Sequence, residues 1–169
     1  RRYTLYNAYN MLSSALKKVS DQYDYCVIDY PPSLGILSLN DLIASDYVVV
    51  PVNAASFSIQ GIKALTEIIN EIKDENPNIR ISGLLITRYN KRTKLRKDVL
   101  EVLDDIAKKI DTKVFEAKIR QGVAIEVSQA DEKDLFSSAP KSSVEGDYEK
   151  FCKELIKDIN KIEKEKGEK

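Results

Sequence analysis

Several side chains that could do chemistry stand where apolar runs of this 169-residue chain end. Asp29 closes one run, and Thr87 with Arg88 closes a second. Arg120 follows a third run. In an open parallel sheet, ligands bind outside the carboxyl ends of the strands. These positions are therefore where a bound molecule would be contacted.

Asp29 has the chemistry of a magnesium ligand. A carboxylate at the end of a buried strand suits a role in holding Mg²⁺, usually through water, beside the phosphates of a nucleotide. Pro31 and Pro32 would stiffen the turn that follows, and Ser33 to Gly35 would form a loop able to sense a γ-phosphate. The alternative is that Asp29 caps the next helix. The strand and its aspartate alone leave both interpretations open.

A basic cluster lies at a loop-to-helix junction. Its side chains, with the free amides of a helix N-terminus, could bind nucleic-acid phosphates. The alternative is a solvated helix face, although cations run against the usual acidic bias of a first turn. The six members are Arg88, Lys91, Arg92, Lys94, Arg96 and Lys97.

Alternating strands and helices must position these residues. Short apolar runs predict buried strands over 25–29, 46–52, 81–87 and 113–119. Amphipathic patterns predict helices over 4–20, 34–44, 58–73 and 94–110, and from about residue 144. Residues 120–143 are predicted to be irregular, with one short helix. This order indicates an α/β fold, a mostly parallel sheet flanked by helices on both faces.

Composition narrows the class of protein. Lys plus Arg and Asp plus Glu both number 27, so any nucleic-acid role must rest on a local patch. The chain has no His, the commonest general base and metal ligand. Its two cysteines fit no zinc or disulfide framework and suggest a reducing cytosol. We expect one domain over 1–160 and a charged, disordered tail over 161–169.

A longer string carries a family resemblance. Residues 23–35 read Tyr-Asp-Tyr-Cys-Val-Ile-Asp-Tyr-Pro-Pro-Ser-Leu-Gly, which resembles the switch II segment of ParA/Soj-type ATPases. Further segments resemble family motifs in the same order along nearly the whole chain. These are Leu39-Asn40, 46–52, 57–61, 83–87 and Arg92-Thr93.

The resemblance implies an ATPase with a deviant Walker A motif that dimerises around ATP and Mg²⁺. It implies nonspecific DNA binding, stimulation by a ParB-type partner, and a cytoplasmic, nucleoid-associated protein. Asp29 would be the Walker B carboxylate that holds magnesium through water. The switch II residues would be Pro31, Pro32, Ser33 and Gly35.

The resemblance also assigns roles near the base and on DNA. Thr87 and Arg88 follow a predicted strand where related nucleotide-binding folds place residues that contact the base, so they would contact adenine; the alternative is a helix-entry loop with a solvated arginine. Arg120 would face the same region, although the family often has proline at that position. Arg92 matches a DNA-contacting arginine of the family, whereas a second such arginine would fall at Ala124 and is missing. The predicted DNA-binding residues are Lys91, Arg92, Lys94, Arg96 and Lys97.

No Gly-Lys-Ser/Thr tripeptide occurs in the chain. The P-loop of the resembled family would lie before Arg1, because its amides and lysine are what hold the phosphates. We therefore expect this polypeptide alone neither to bind ATP tightly nor to hydrolyse it. A strand over 25–29 would then expose an apolar edge. We expect rearrangement, association with another copy, or pairing with the missing segment.

Other readings remain beside this one. Thr87-Arg-Tyr-Asn90 resembles a stretch of MinD, a membrane-associated relative, but residues 159–169 alternate acid with base and contain no aromatic residue. No membrane binding is therefore expected. An iron-sulfur relative would need cysteines that converge, and Cys26 and Cys152 do not. A non-catalytic interaction module is the third reading. The sequence identifies neither the cargo nor the partner.

Overall fold

The computed structural model describes residues 8–29, 35–53, 58–89 and 97–167. Its helices are α1 (Met11–Leu16), α2 (Ile36–Ala44), α3 (Ile59–Glu71), α4 (Lys97–Lys109), α5 (Val123–Ala130), α6 (Leu135–Ser138) and α7 (Ser143–Gly167). Its strands are β1 (Tyr47–Asn53), β2 (Arg80–Tyr89) and β3 (Val114–Arg120). Two 3₁₀ turns cover Ser20–Gln22 and Ile72–Asp74.

The chain divides into two compact units. The first comprises Arg1–Val48 and Gln60–Arg80, and the second comprises Val49–Ile59 and Ile81–Lys169. The three strands form one parallel sheet in the order β1-β2-β3, which confirms the predicted α/β class. The strands predicted at 46–52, 81–87 and 113–119 are present, each within about two residues of its predicted ends.

The core of the second unit lies between the sheet and α7. Phe115 and Ile119 of β3 pack with Leu85 of β2 and Val144 of α7. The ring of Phe115 meets the ring of Phe151 edge-on, with centroids 5.1 Å apart. This packing places the long last helix against the outermost strand.

Side chains alternate across β2, as a pleated strand requires. Leu85 faces the α7 side, whereas Leu84 and Ile86 face the other side and are completely buried. Burial on both faces explains why the run is almost continuously apolar. Gly83 lies on the α7 side, where a Cβ would stand 2.6 Å from the ring of Phe115.

In the first unit, α1 packs against α2. The C-terminal end of α2 is held by Asn76, whose side-chain amide donates to the carbonyls of Leu42, Ile43 and Ser45. The last carbonyls of a helix have no partner within the helix, so a side-chain donor there stabilises its end.

The strand predicted over 25–29 is wrong for this structure. These residues are described, but they belong to no strand, and the side chain of Val27 is 93% exposed. A strand needs a neighbouring ladder to satisfy its backbone groups. The described part of the chain places no strand beside this apolar run.

The stretch 120–143 is more regular than predicted, since it contains both α5 and α6. Asp134 caps α6 by accepting a hydrogen bond from the backbone N–H of Ser137 at 2.8 Å. The two helices meet where the hydroxyls of Ser128 and Ser138 bond at 2.5 Å.

Helix α7 continues to Gly167, where the sequence suggested a disordered tail over 161–169. Pairs of opposite charge one turn apart support the last turns. Lys161 and Glu165 lie 4.0 Å apart, and Glu163 and Lys166 lie 2.9 Å apart.

Candidate functional site

The second unit brings together the carboxyl ends of β2 and β3. Tyr89 is in register with Arg120, and the backbone N–H of Gln121 donates to the carbonyl of Tyr89 at 3.0 Å. Lys118 Nζ lies 5.8 Å from the centre of the Tyr89 ring. The predicted base-contacting residues therefore end two neighbouring strands, at one edge of the sheet.

Arg88 has an unusual backbone conformation. Its φ is 52°, in the left-handed region that residues other than glycine seldom adopt. The pairing of β2 with β3 shifts register between Ile86 and Tyr89, so Arg88 lies at a bulge. Bulges redirect side chains. Arg88 is exposed, whereas Thr87 before it is half-buried.

Arg120 is held by an aspartate of α7. Its Nε and Nη2 donate to the two oxygens of Asp147, each at 2.6 Å, and its backbone N–H donates to Oδ2 at 3.1 Å. Asp147 is buried, with 6% of its surface exposed. This bidentate geometry is the strongest form of an arginine–carboxylate pair.

The electrostatics agree with that geometry. Burial alone would raise the pKa of Asp147, but the hydrogen bonds and charge of Arg120 outweigh burial and hold that pKa below its usual range. The hydrogen bond to Asp147 in turn raises the pKa of Arg120. Two of the five guanidinium donors are thus committed to α7. A bound base would have to be contacted through the remaining donors.

Glu154 covers the outer edge of β3. One carboxylate oxygen accepts from the backbone N–H of Glu116 at 3.1 Å and the other from that of Ala117 at 3.0 Å. Nζ of Lys113 lies 2.9 Å from Oε1 of Glu154 and 2.5 Å from Oδ2 of Asp158. Because β3 is the last strand of the sheet, α7 supplies the partners that a further strand would otherwise provide.

Burial raises the pKa of Glu154, but its hydrogen bonds from Ala117 and Lys113 outweigh burial and lower it overall. Burial lowers the pKa of Lys113, and the bonds to Asp158 and Glu154 outweigh that effect and raise it. Both pKa shifts favour the charged forms near neutral pH.

Sequence reasoning missed Asp147 and Glu154. A signal was present, because both flank the apolar stripe of α7 at a spacing of seven residues, which places them on one side of a helix. The stripe consists of Val144, Tyr148, Phe151 and Leu155.

In the first unit, Asp29 is exposed. Gly35 precedes α2 with an extended backbone, φ −132° and ψ −169°. Pro31, Pro32 and Ser33 lie outside the described residues. Within the described ranges, no three cysteine, aspartate or glutamate side chains converge as metal ligands. A single carboxylate that acts through water does not need such a group, so the magnesium role of Asp29 stays a prediction.

The basic cluster falls mostly outside the described residues, which exclude Lys91, Arg92, Lys94 and Arg96. Lys97 is the first residue of α4, and the role of the cluster in DNA binding stays a prediction. Among the described helices, none is both long enough and apolar enough to cross a membrane.

Comparison with known sequences finds one matching family profile and several similar proteins. Residues 3–81 match the profile of the AAA domain family. A virulence plasmid ParA family protein of Chlamydia psittaci is 34% identical over 146 residues, covering 86% of this chain and 54% of the relative. The sporulation initiation inhibitor protein Soj of Bacillus subtilis is 32% identical over 145 residues, covering 85% and 56%. The chain spans about half the length of these relatives.

Comparison with solved structures finds proteins of similar fold. The cobyrinic acid a,c-diamide synthase of Mycobacterium smegmatis, determined with bound ADP and magnesium, has a TM-score of 0.61 and 31% identity. The match covers 69% of this chain and 47% of that one. The sheet, its helices and this similarity define an α/β protein with a P-loop NTPase-like fold. The matches to the ParA family protein and to Soj define the group more closely. The chain belongs to the ParA-type family of partition proteins.

Proposed function

We propose that this chain is part of an ATP-dependent DNA partition protein that dimerises on ATP, binds DNA nonspecifically and responds to a ParB-type partner. The observation that carries this proposal is the 146-residue match to a plasmid ParA family protein, which extends over 86% of the chain. The whole protein would act in the cytoplasm, on nucleoid or plasmid DNA.

In the proposed nucleotide site, Asp29 orients magnesium through water, and residues 31–35 respond to the γ-phosphate. The ADP and magnesium bound to the M. smegmatis synthase support nucleotide and metal binding in this fold. No Gly-Lys-Ser/Thr tripeptide occurs in these 169 residues, so the phosphate-binding loop is proposed to come from other sequence of the intact protein. We therefore propose that the chain alone does not hydrolyse ATP.

The adenine base is proposed to bind at the ends of β2 and β3. Thr87 and Arg88 end the first of these strands, and Arg120 ends the second. The pair between Arg120 and Asp147 supports a positioning role for that arginine, because it fixes the loop that follows β3. Arg88 is exposed, which suits direct contact with a ligand.

The proposed DNA surface is the basic cluster before α4, centred on Arg92. A cluster of cations beside a helix N-terminus suits phosphate contacts that do not depend on base sequence. The chain as a whole has no net charge, so such binding would depend on this local surface.

A double charge reversal tests the proposal. In the intact protein with ATP, Arg92→Glu with Lys94→Glu should abolish binding to nonspecific duplex DNA at moderate salt. The dependence of binding on salt should weaken. Each lost phosphate contact makes the negative slope of log K against log salt shallower by about 0.9.

The matched control is Lys153→Glu with Lys157→Glu, on the exposed side of α7. This variant changes the net charge equally but leaves the cluster intact, and it should bind DNA as the wild type does. Equal loss in both variants would point to overall charge, and unchanged binding by the first variant would refute the surface.

The membrane-associated alternative has its own test. Residues 159–167 of α7 carry alternating acids and bases rather than a basic face with bulky apolar residues. Flotation with anionic liposomes and ATP should leave the intact protein in the bottom fraction. Co-flotation would favour a MinD-like role.

A further inference from the structure

The first helical segment of the chain is interrupted. Residues 8–9 and 11–16 are helical, but Asn10 between them has φ −107° and ψ 11°. An α-helix requires values near −63° and −42°. The backbone therefore leaves the helical path for one residue, and its regular hydrogen bonding resumes with the bond from Ser14 N–H to the carbonyl of Asn10.

The side chain of Asn40, on α2, lies in this interruption. Its Nδ2 donates to the carbonyl of Ala8 at 2.7 Å, and its Oδ1 accepts from the backbone N–H of Leu12 at 3.2 Å. Ala8 and Leu12 are four residues apart, so in a continuous helix these two groups would bond to each other. The carboxamide takes the place of that missing peptide contact, a recognised way to bend a helix.

The orientation of this carboxamide is fixed by three partners. The second Nδ2 hydrogen donates to the carbonyl of Ile36 at 2.9 Å. A flipped amide would put its oxygen against two carbonyls, so only one orientation satisfies the network. Asn40 is 8% exposed, and leaving a buried polar group unpaired costs free energy. Helix α2 thus cannot leave this position without new partners for Ala8 and Leu12.

Those partners already exist, because Ala8 and Leu12 can bond directly if the helix straightens. The pair of helices therefore has two ways to satisfy the same groups, with α2 docked or with α2 withdrawn. The beginning of α2 is loosely covered, with Ile36 48% and Leu37 69% exposed. Gly35, which ends the switch II segment, is directly before it.

We propose that Asn40 is a conformational latch. Its carboxamide occupies the gap at Asn10 when α2 is docked, and withdrawal of α2 lets Ala8 and Leu12 bond directly and straighten the helix. The link to nucleotide rests on the proposed function, since it requires that residues 31–35 respond to a γ-phosphate. The latch itself requires only the contacts around Asn40.

NMR of the 169-residue chain tests the latch. In the wild type, the side-chain amide of Asn40 and the backbone amide of Leu12 should exchange slowly with solvent. In Asn40→Leu, the Cα shifts of residues 9–11 should move to helical values while the Leu12 amide stays protected. If Leu12 loses protection and Asn10 stays non-helical, Asn40 is only an anchor and the latch is refuted.

Two further variants provide a control and an independent test of the latch. Asn76→Leu removes a carboxamide from the other end of α2 and should weaken that end without moving the shifts of residues 9–11. Asn10→Ala approaches the latch from the helix side, because alanine favours a continuous helix. It should speed exchange of the Asn40 side-chain amide in a folded chain. Unchanged exchange in that variant would contradict the latch even if Asn40→Leu fails to fold.

The intact protein tests the link to nucleotide. A nonhydrolysable ATP analogue should change deuterium uptake over residues 8–16 in the wild type but not in Asn40→Leu. Binding without such a change would refute the link and leave the proposed function standing. If no ATP binds, the proposed function fails, whereas the NMR experiment still decides the latch.

Discussion

At the scale of single residues, the best-defined chemistry is the pair of Arg120 with Asp147. One carboxylate receives three hydrogen bonds, two from the guanidinium and one from the backbone of the same arginine. The pair joins the end of β3 to α7 and so fixes where the following loop begins. A ligand at this edge of the sheet would meet a strand end that is hydrogen-bonded to α7.

Replacement of Asp147 should therefore destabilise the chain. Asp147→Asn removes the charge opposite a partly buried guanidinium, and we expect a loss of roughly 2–3 kcal/mol, less than for a fully buried pair because Arg120 is partly exposed. Urea unfolding followed by circular dichroism measures it. The control Glu149→Gln removes an exposed partner of Lys153 and should leave the unfolding midpoint unchanged. Equal effects of the two variants would contradict a special role for Asp147.

The two carboxylates of α7 also predict how stability depends on pH. The pKa values of Asp147 and Glu154 are lowered from 3.8 and 4.5, so their contribution is complete above those values and is lost as pH falls through the lower folded pKa values. The melting temperature should be flat between about pH 5 and 8 and should fall below about pH 4.5. In Glu154→Gln the fall should be shallower. An identical acid limb would contradict the role given to Glu154.

Sequence reasoning reached only part of this chemistry. Thr87, Arg88 and Arg120 were predicted to share one edge of the sheet because parallel strands end together, and β2 and β3 place them there. The partner of Arg120 could not be predicted, because Asp147 is 27 residues away and its approach depends on how α7 crosses the strand. The left-handed backbone of Arg88 likewise arises from the pairing of strands and has no local sequence signal.

At the scale of elements, short apolar runs in the sequence predicted three strands correctly and one wrongly. The runs at 47–53, 80–89 and 114–120 find neighbours in one sheet, whereas 25–29 has the same apolar character and lies outside it. An apolar run indicates that its side chains tend to be buried. Whether it forms a strand depends on backbone hydrogen bonding to a neighbouring strand. The stretch 120–143 holds two helices where one short helix was predicted, for a related reason, since the bond between Ser128 and Ser138 forms only once both helices exist.

Replacement by alanine should have opposite effects at Gly83 in β2 and at Gly146 in α7. Gly83→Ala would drive a methyl group into the ring of Phe115, which is 1% exposed, and should cost about 1–3 kcal/mol. Gly146→Ala, in α7, meets nothing within 4 Å and should stabilise the chain by about 0.5–1 kcal/mol through helix propensity. Thermal unfolding of both variants measures the two changes. A stabilised Gly83→Ala would show that the ring can move aside.

At the scale of the whole molecule, the chain is shorter than the relatives that it matches. It belongs to the ParA-type family and spans about half the length of these relatives. The exposed side chains of Tyr25 and Val27 are the sort of surface that another strand or another copy would cover. Gel filtration with light scattering should show association of the 169-residue chain, and a monodisperse monomer would count against it.

We assign ATP binding to the intact protein and not to these residues alone. Calorimetric titration of ATP with magnesium tests it most directly. We predict saturable binding to the intact protein, weakened magnesium dependence in Asp29→Asn but not in the nearby control Asp24→Asn, and no saturable heat with the 169-residue chain. Saturable micromolar binding to that chain, or none to the intact protein, would contradict the claim.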